Sequence, residues 1–226
     1  MDVAAFYTTS NLTSEEIAEG DRVHGALTQA VRELASAQLR TWLPYDELEK
    51  ITSQLREITE RLETKARHGA FGVELTTDGG VRNHGNAVVG LRNPAAMALG
   101  DAKIVWSEKG ASASIHLNEL YEGPPGHVHG GVLALVLDQL FGEAGAAAGS
   151  PGMTGRLTLS YRRPTPLGDV SMEAWLDRVE GIKTYIKGHL KDAAGQVTVE
   201  AEGLFILPRW ARENADSWPR RPPTFE

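Results

Sequence analysis

The sequence predicts an α+β fold: an antiparallel sheet wrapped around one long central helix, with a helical extension ahead of it. Three observations carry this expectation. Within a stretch from Gly130 to about Ala148, closed by Gly149, the run Val132, Leu133, Ala134, Leu135, Val136, Leu137 leaves no polar face over nearly two turns, and a helix apolar all round is a buried one. After it, residues 153–161, 170–179, 182–190 and 196–206 form four runs joined by turn residues, Gly181 in the second connection and 192–195 in the third. Ahead of it, 103–107 and 111–117 change to a period of two around a turn at Lys109 and Gly110.

The alternation is explicit in two of the strands. Met153, Leu157, Leu159 and Tyr161 stand against Thr154, Arg156, Thr158 and Ser160, and Ile182, Thr184, Ile186 and Leu190 against Lys183, Tyr185, Lys187 and Lys191. Strands joined by hairpins make an antiparallel meander. A buried helix with five or six such strands is the hotdog architecture. Residues 1–67 read as a separate helical region. Val23, Leu27, Val31, Leu34 and Leu39 mark a helix over 21–40, and Leu48, Ile51, Leu55, Ile58 and Leu62 mark a second over 45–66, with Pro44 as its first-turn proline. An amphipathic pair of this kind packs on its own chain, across an oligomer interface, or on a foreign partner. Residues 68–100 hold seven glycines and predict an irregular approach with one short strand near 71–75. The core domain is therefore set at 68–207, and 208–226, with four prolines in 19 residues, as an extended tail.

Composition excludes several classes. At 226 residues, 41% hydrophobic and 23% charged, the chain builds a core without covalent staples, and with no cysteine it has neither a disulfide framework nor a thiol nucleophile. No apolar stretch approaches the roughly 20 residues that span a bilayer. The first 20 residues carry four acidic and no basic side chains, the reverse of a targeting segment, and a cytoplasmic protein is expected. A net charge of -7 argues against nucleic acid as a partner. Residues 156–191 nevertheless hold seven basic and four acidic side chains. Such a zone is either a solvated sheet face or a site for a small anion. No P-loop and no G-x-S-x-G elbow is present. His127 and His129 form an H-x-H pair, but a zinc site needs a third protein ligand and the other histidines are scattered, so neither metal nor cofactor is expected.

Asp138, placed directly after six apolar helix residues, is the candidate of greatest interest. It is either a carboxylate retained for function at a desolvation cost or one exposed where the helix turns polar toward Gln139 and Glu143. Gly130 and Gly131 open the helix, where unpaired N–H groups and the positive end of the macrodipole can meet negative charge; the alternative is a flexible junction. An oxyanion donor and a base together suit acyl transfer. Eight residues separate Gly130 from Asp138, about 12 Å along the axis, so one site would combine Gly130 of one subunit with Asp138 of another.

The run HVHGGVLALVLDQLFG, Thr154 within GMTGRLTLSYRRPTPLGD, and LDRVEGIKTYIKG resemble the hotdog acyl-CoA thioesterases of the PaaI-like group, nearest in pattern to its THEM type, over about residues 100–207. The resemblance implies Asp138 as general base or nucleophile, Thr154 as the group orienting the attacking water, and His129 with Gly130 framing the oxyanion site. Gly131 lies beside them as a substrate-binding position. Some relatives use an asparagine several residues before this histidine; Gly123 stands roughly there. The resemblance also gives the basic zone a ligand, the phosphates of coenzyme A, with Arg162, Arg163 and Lys183 as its contacts, although Thr184 stands where some relatives carry a second basic residue. It implies an acyl-CoA thioesterase acting as a homodimer or dimer of dimers, the CoA being substrate rather than cofactor. A non-catalytic acyl-CoA-binding protein and a hotdog hydratase or dehydratase, which would pair Asp138 with His129, are the alternatives.

Overall fold

The computed structural model describes residues 7–68, 73–78, 81–96 and 104–213. A short strand β1 (Tyr7–Thr9) precedes two long helices, α1 (Ser14–Arg40) and α2 (Tyr45–Glu63), followed by β2 (Val73–Leu75) and β3 (Val81–Asn83). These three strands form a small sheet of order β1-β2-β3, the first pair parallel and the second antiparallel. The core domain contains β4 (Val105–Ser107), β5 (Gly110–Leu117), the helix α3 (Gly130–Ala147), β6 (Met153–Tyr161), β7 (Gly168–Glu180), β8 (Lys183–Lys191) and β9 (Val197–Ile206), and the last helical turn is α4 (Arg209–Glu213).

The main sheet has the order β4-β5-β7-β8-β9-β6, every pair antiparallel. β7 and β8 are joined by the expected tight turn, where Gly181 takes the left-handed φ of 59° that a two-residue hairpin demands. The sheet curls around α3, whose Leu133, Val136, Leu137, Leu140 and Phe141 are buried. They meet Ala111, Ala113 and Ile115 of β5, Val170 and Met172 of β7, Ile186 and Leu190 of β8, and Val199 and Phe205 of β9. This is the hotdog arrangement the sequence predicts. Two glycines make the closest part of it possible. A Cβ on Gly188 would lie 2.5 Å from the Phe141 ring and 2.5 Å from the Glu173 carbonyl, and one on Gly203 would lie 2.7 Å from the same ring.

Several elements depart from the expectation. α1 begins at Ser14, not 21, because Thr13 and Glu16 close a capping box: the Glu16 N–H donates to Thr13 Oγ1 at 3.3 Å and the Thr13 N–H donates to Glu16 Oε2 at 2.8 Å. α2 stops at Glu63 rather than 66, and Pro44 is its N-cap rather than a first-turn residue. The expected strand near 71–75 is found as β2 over its described part; residues 71 and 72 lie outside the described residues, as does Lys103 ahead of β4. The expected extended tail begins with helical turn α4, and 214–226 lie outside the described residues.

α3 is not covered all round. Gly131, Leu135 and Asp138 lie three and four residues apart on one stripe that the curled sheet leaves open, Leu135 being 39% exposed and Asp138 half-buried. Neither helix of the N-terminal pair buries its apolar stripe against the described residues, as packing on its own chain would require.

Candidate active site

The open stripe of α3 meets β6, the edge strand of the sheet. Plain alternation from Leu157, Leu159 and Tyr161 would turn Thr154 away from the helix, as the sequence pattern assigns it. The structure corrects this: a bulge between Thr154 and Arg156 shifts the phase of the strand by one residue, and such bulges re-aim side chains. Thr154 thereby faces α3, and its Oγ1 donates to Asp138 Oδ1 at 2.8 Å. With its proton committed to the carboxylate, the Thr154 oxygen retains lone pairs that can accept from a water beside Asp138.

At the N-terminus of the helix, residues 118–129 form a compact loop that presents the first turn. Asn118 caps a 3-10 turn at Glu119–Tyr121, Glu122 bridges to Val128, and the His129 N–H donates to the Tyr121 carbonyl at 2.8 Å. Gly123, which stands where some relatives carry an asparagine, has no room for a side chain: a Cβ there would lie 2.8 Å from His129 Cα. His129 is the N-cap of α3, its Nδ1 accepting the Gly131 N–H at 3.0 Å. The Gly131 N–H is thus used internally, whereas no hydrogen bond among the described residues uses the N–H of Gly130, which stays an orphan of the first turn. The Gly130 carbonyl accepts from the Tyr161 hydroxyl at 2.9 Å, tying the end of β6 to the start of the helix. Sequence reasoning missed Tyr161 in this role, since alternation marks it only as an inward apolar residue.

Asp138 and Thr154 are therefore brought together at the middle of α3, and Gly130 and His129 are brought together at its N-terminus, about two turns away. The basic candidates divide the same way. Arg162 and Arg163 follow β6 at the Gly130 end; Arg162 pairs with Glu200 at 2.7 Å and Arg163 donates to Gln196. Lys183 opens β8 opposite Ile206, which pairs in turn with Met153, so it belongs to the Asp138 end. Much of the remaining basic zone is a solvated sheet face: Arg178 pairs with Asp177 and Glu180 and lies 3.6 Å over the Tyr185 ring, Lys187 pairs with Asp177, and Lys191 with Glu173. Among the described residues no group of three or more His, Asp or Glu side chains is arranged to hold a metal ion, and no helix is long and apolar enough to cross a membrane.

A polar chain continues along α3 beyond Asp138. Asn86 donates to Gln139 at 3.2 Å, Gln139 to Glu143 at 2.8 Å, and the Trp106 indole to Glu143 at 3.2 Å. It fastens the approach segment and β4 to the helix one residue from the carboxylate. Only the Gln139 and Glu143 spacing of four hinted at it in the sequence.

The chain is similar to known proteins. The family profile of the thioesterase superfamily matches residues 125–199, the span that contains both ends of the site. The crystal structure of a thioesterase superfamily protein aligns with 88% of this chain and 98% of its own, at 33% identity and a TM-score of 0.71. The chain belongs to the thioesterase superfamily. Among curated relatives of this superfamily member, the acyl-coenzyme A thioesterase THEM4 of Xenopus laevis is 33% identical over 87 residues, which is 38% of this chain and 39% of the relative. The human acyl-coenzyme A thioesterase THEM5 is 33% identical over 88 residues, 38% of this chain and 35% of the relative. The matched segment thus spans well under half the length of these curated relatives.

Proposed function

We propose that the protein is an acyl-CoA thioesterase, hydrolysing a thioester to a free acid and CoA, with each site built from two copies of the chain. The observation that carries this reading is the 2.8 Å hydrogen bond from Thr154 to Asp138 on the uncovered stripe of α3. A carboxylate with a hydroxyl beside it, facing open space, is equipped to hold and deprotonate water. In the reaction Asp138 takes a proton from a water accepted by Thr154 as the water oxygen attacks the thioester carbonyl. The tetrahedral oxyanion is held by the orphan Gly130 N–H of the second copy at the positive end of its helix. Collapse breaks the carbon–sulfur bond, and the leaving thiolate takes up the proton from Asp138.

A homodimer follows from the separation of the two groups, and the exposure of Leu135 beside Asp138 supports a second copy as the missing wall. The CoA phosphates would meet Lys183 on the Asp138 side and Arg162 and Arg163 on the Gly130 side, so the clamp is divided between copies as the reacting groups are. The acidic, cysteine-free composition fits a cytoplasmic setting.

The test is release of free thiol from a panel of short, medium, long and aryl acyl-CoAs. Asp138→Asn should lower kcat by at least about 10²-fold with an unchanged circular dichroism spectrum, and Thr154→Val by about 10- to 100-fold, the effect of one hydrogen bond to a charged group. Saturable acyl-CoA binding without thiol release from any substrate would replace this reading with the binding-protein one. A changed acyl chain with the thioester kept would replace it with the hydratase one. In the two-copy site His129 of the second copy lies on the Gly130 side with its Nδ1 engaged in capping α3, so only its Nε2 would be left to serve the hydratase reading.

A further inference from the structure

The helix α2 has an apolar seam that none of the described residues buries. Leu48, Ile51, Leu55, Ile58 and Leu62 recur at intervals of 3, 4, 3 and 4, the narrow repeat of a coiled coil rather than the wider stripe of a helix lying on a globular core. None of the residues of α2 is buried by the described chain. Most of a protein helix's stability comes from packing its amphipathic face rather than from propensity, so this seam calls for a partner helix.

The positions beside the seam identify the partner. One flank carries Tyr45, Thr52 and Thr59, and the other Glu47, Gln54 and Arg61. The other charges of α2 fall on the outer face, leaving the flanks with two charges, of opposite sign and at opposite ends of the helix. We propose that α2 is a self-association surface that pairs antiparallel with α2 of a second copy. With Leu48 level with Ile58 of the second copy and Ile51 with its Leu55, Glu47 comes beside Arg61, Gln54 beside its own counterpart, and Arg61 beside Glu47. Both ion pairs are generated by one two-fold axis, as an isologous contact requires. A parallel pair in register would set Glu47 against Thr52 and Gln54 against Thr59 and bring no opposite charges together, with the helix dipoles aligned. Glu47 already pairs with Lys50 at 2.6 Å, but that pair is exposed and worth little, so it does not compete strongly. The antiparallel arrangement also sets Leu62 against the corner that enters α2 in the second copy. There Trp42 is 99% and Tyr45 87% exposed, two large apolar bodies left uncovered by the described residues.

The chain has no cysteine, so thiols can be introduced singly into the full-length protein and oxidised with copper phenanthroline. Gln54→Cys should form a covalent dimer, because the two-fold axis sets the two copies of this position together. Arg56→Cys, on the outer face, should stay single, with at least a tenfold lower dimer fraction. Glu47→Cys and Arg61→Cys should each stay single, whereas the variant carrying both should become a covalent dimer. The two positions are about 21 Å apart along one helix, beyond the reach of a disulfide within the chain. All four sites are polar and none is buried, and an unchanged circular dichroism spectrum checks that the helices persist. The proposal is overturned if Gln54→Cys links no better than Arg56→Cys, or if the double variant links no better than its two single parents.

Discussion

α3 and α1 are both long helices with regularly spaced apolar residues, and they present those residues in opposite directions. α3 turns Leu133, Val136, Leu137, Leu140 and Phe141 into the sheet and leaves a short open stripe around Asp138. α1 leaves Val23, Leu27 and Leu34 exposed and turns its polar side to its own chain. On that side, with Ile17 as its buried apolar residue, Asp21 meets Arg82 at 2.9 Å, Ser36 bonds Glu119, and Arg40 meets Glu119 at 2.8 Å. Period 3.6 thus reports that a helix has two faces and is silent on which of them its own chain will cover. α3 is held by burial, which is worth about 25 cal/mol per Å² and is lost only with the fold. α1 is held by hydrogen bonds and ion pairs that trade against water and contribute little net.

The sharpest test of this contrast removes one side chain from each region. Phe141→Ala should cost about 3–5 kcal/mol of unfolding free energy, through lost transfer energy and a cavity under two glycines with no side chain to fill it. Ile58→Ala on α2, measured by denaturant titration at the lowest workable protein concentration, should cost less than about 1 kcal/mol, since its side chain is 47% exposed and alanine favours the helix. Equal costs would mean that α2 is as much part of the folded core as α3, and the comparison would collapse.

A second substitution probes how closely α3 is held. Gly188→Ala should destabilise by about 1–3 kcal/mol, because the added methyl meets the Phe141 ring on one side and the Glu173 carbonyl on the other, and backbone cannot give way as a flexible side chain can. Pairing this change with Phe141→Leu should recover part of the loss if the ring is the main obstacle. No recovery would assign the cost to the strand backbone.

What the sequence makes legible follows the same division. The alternation of β8, the apolar run 132–137 and the Gly181 turn each record a local rule, and the sheet and α3 follow from them. Asp138 stands out for the same reason, a charge breaking an apolar pattern. Thr154 does not: its alternation places it on the wrong face, and only the bulge between Thr154 and Arg156 brings it to the carboxylate. Bulge positions depend on how two strands settle their register, a non-local matter. The capping box of α1 was open to reading, since Thr13 and Glu16 carry its pattern. By contrast, the docking of α1 through Asp21, Ser36 and Arg40 rests on partners 61, 83 and 79 residues away, and no periodicity announces those.

The smallest expected effect concerns pH and falls on α1 alone. Burial, with the positive charge of Arg92 next, holds His24 below the usual histidine range, and Asp21 opposes this only in part. The docked helix therefore favours neutral His24, while the undocked chain takes up a proton as pH falls below about 6.5. More protons bind the undocked state, so docking weakens as pH falls from 7.5 toward 5.5 and is independent of pH above that window. His189 in β8 is also held low, mainly by burial, but it belongs to the sheet and registers in global unfolding. Amide hydrogen exchange, corrected for intrinsic rate, separates the two: α1 should exchange faster at pH 5.5 than at 7.5 while α3 keeps its protection, and His24→Gln should remove the difference in α1. Loosening of α3 in step with α1 would show that the two regions open together. Acceleration in α1 that persists in His24→Gln would assign the effect to another group on its polar face.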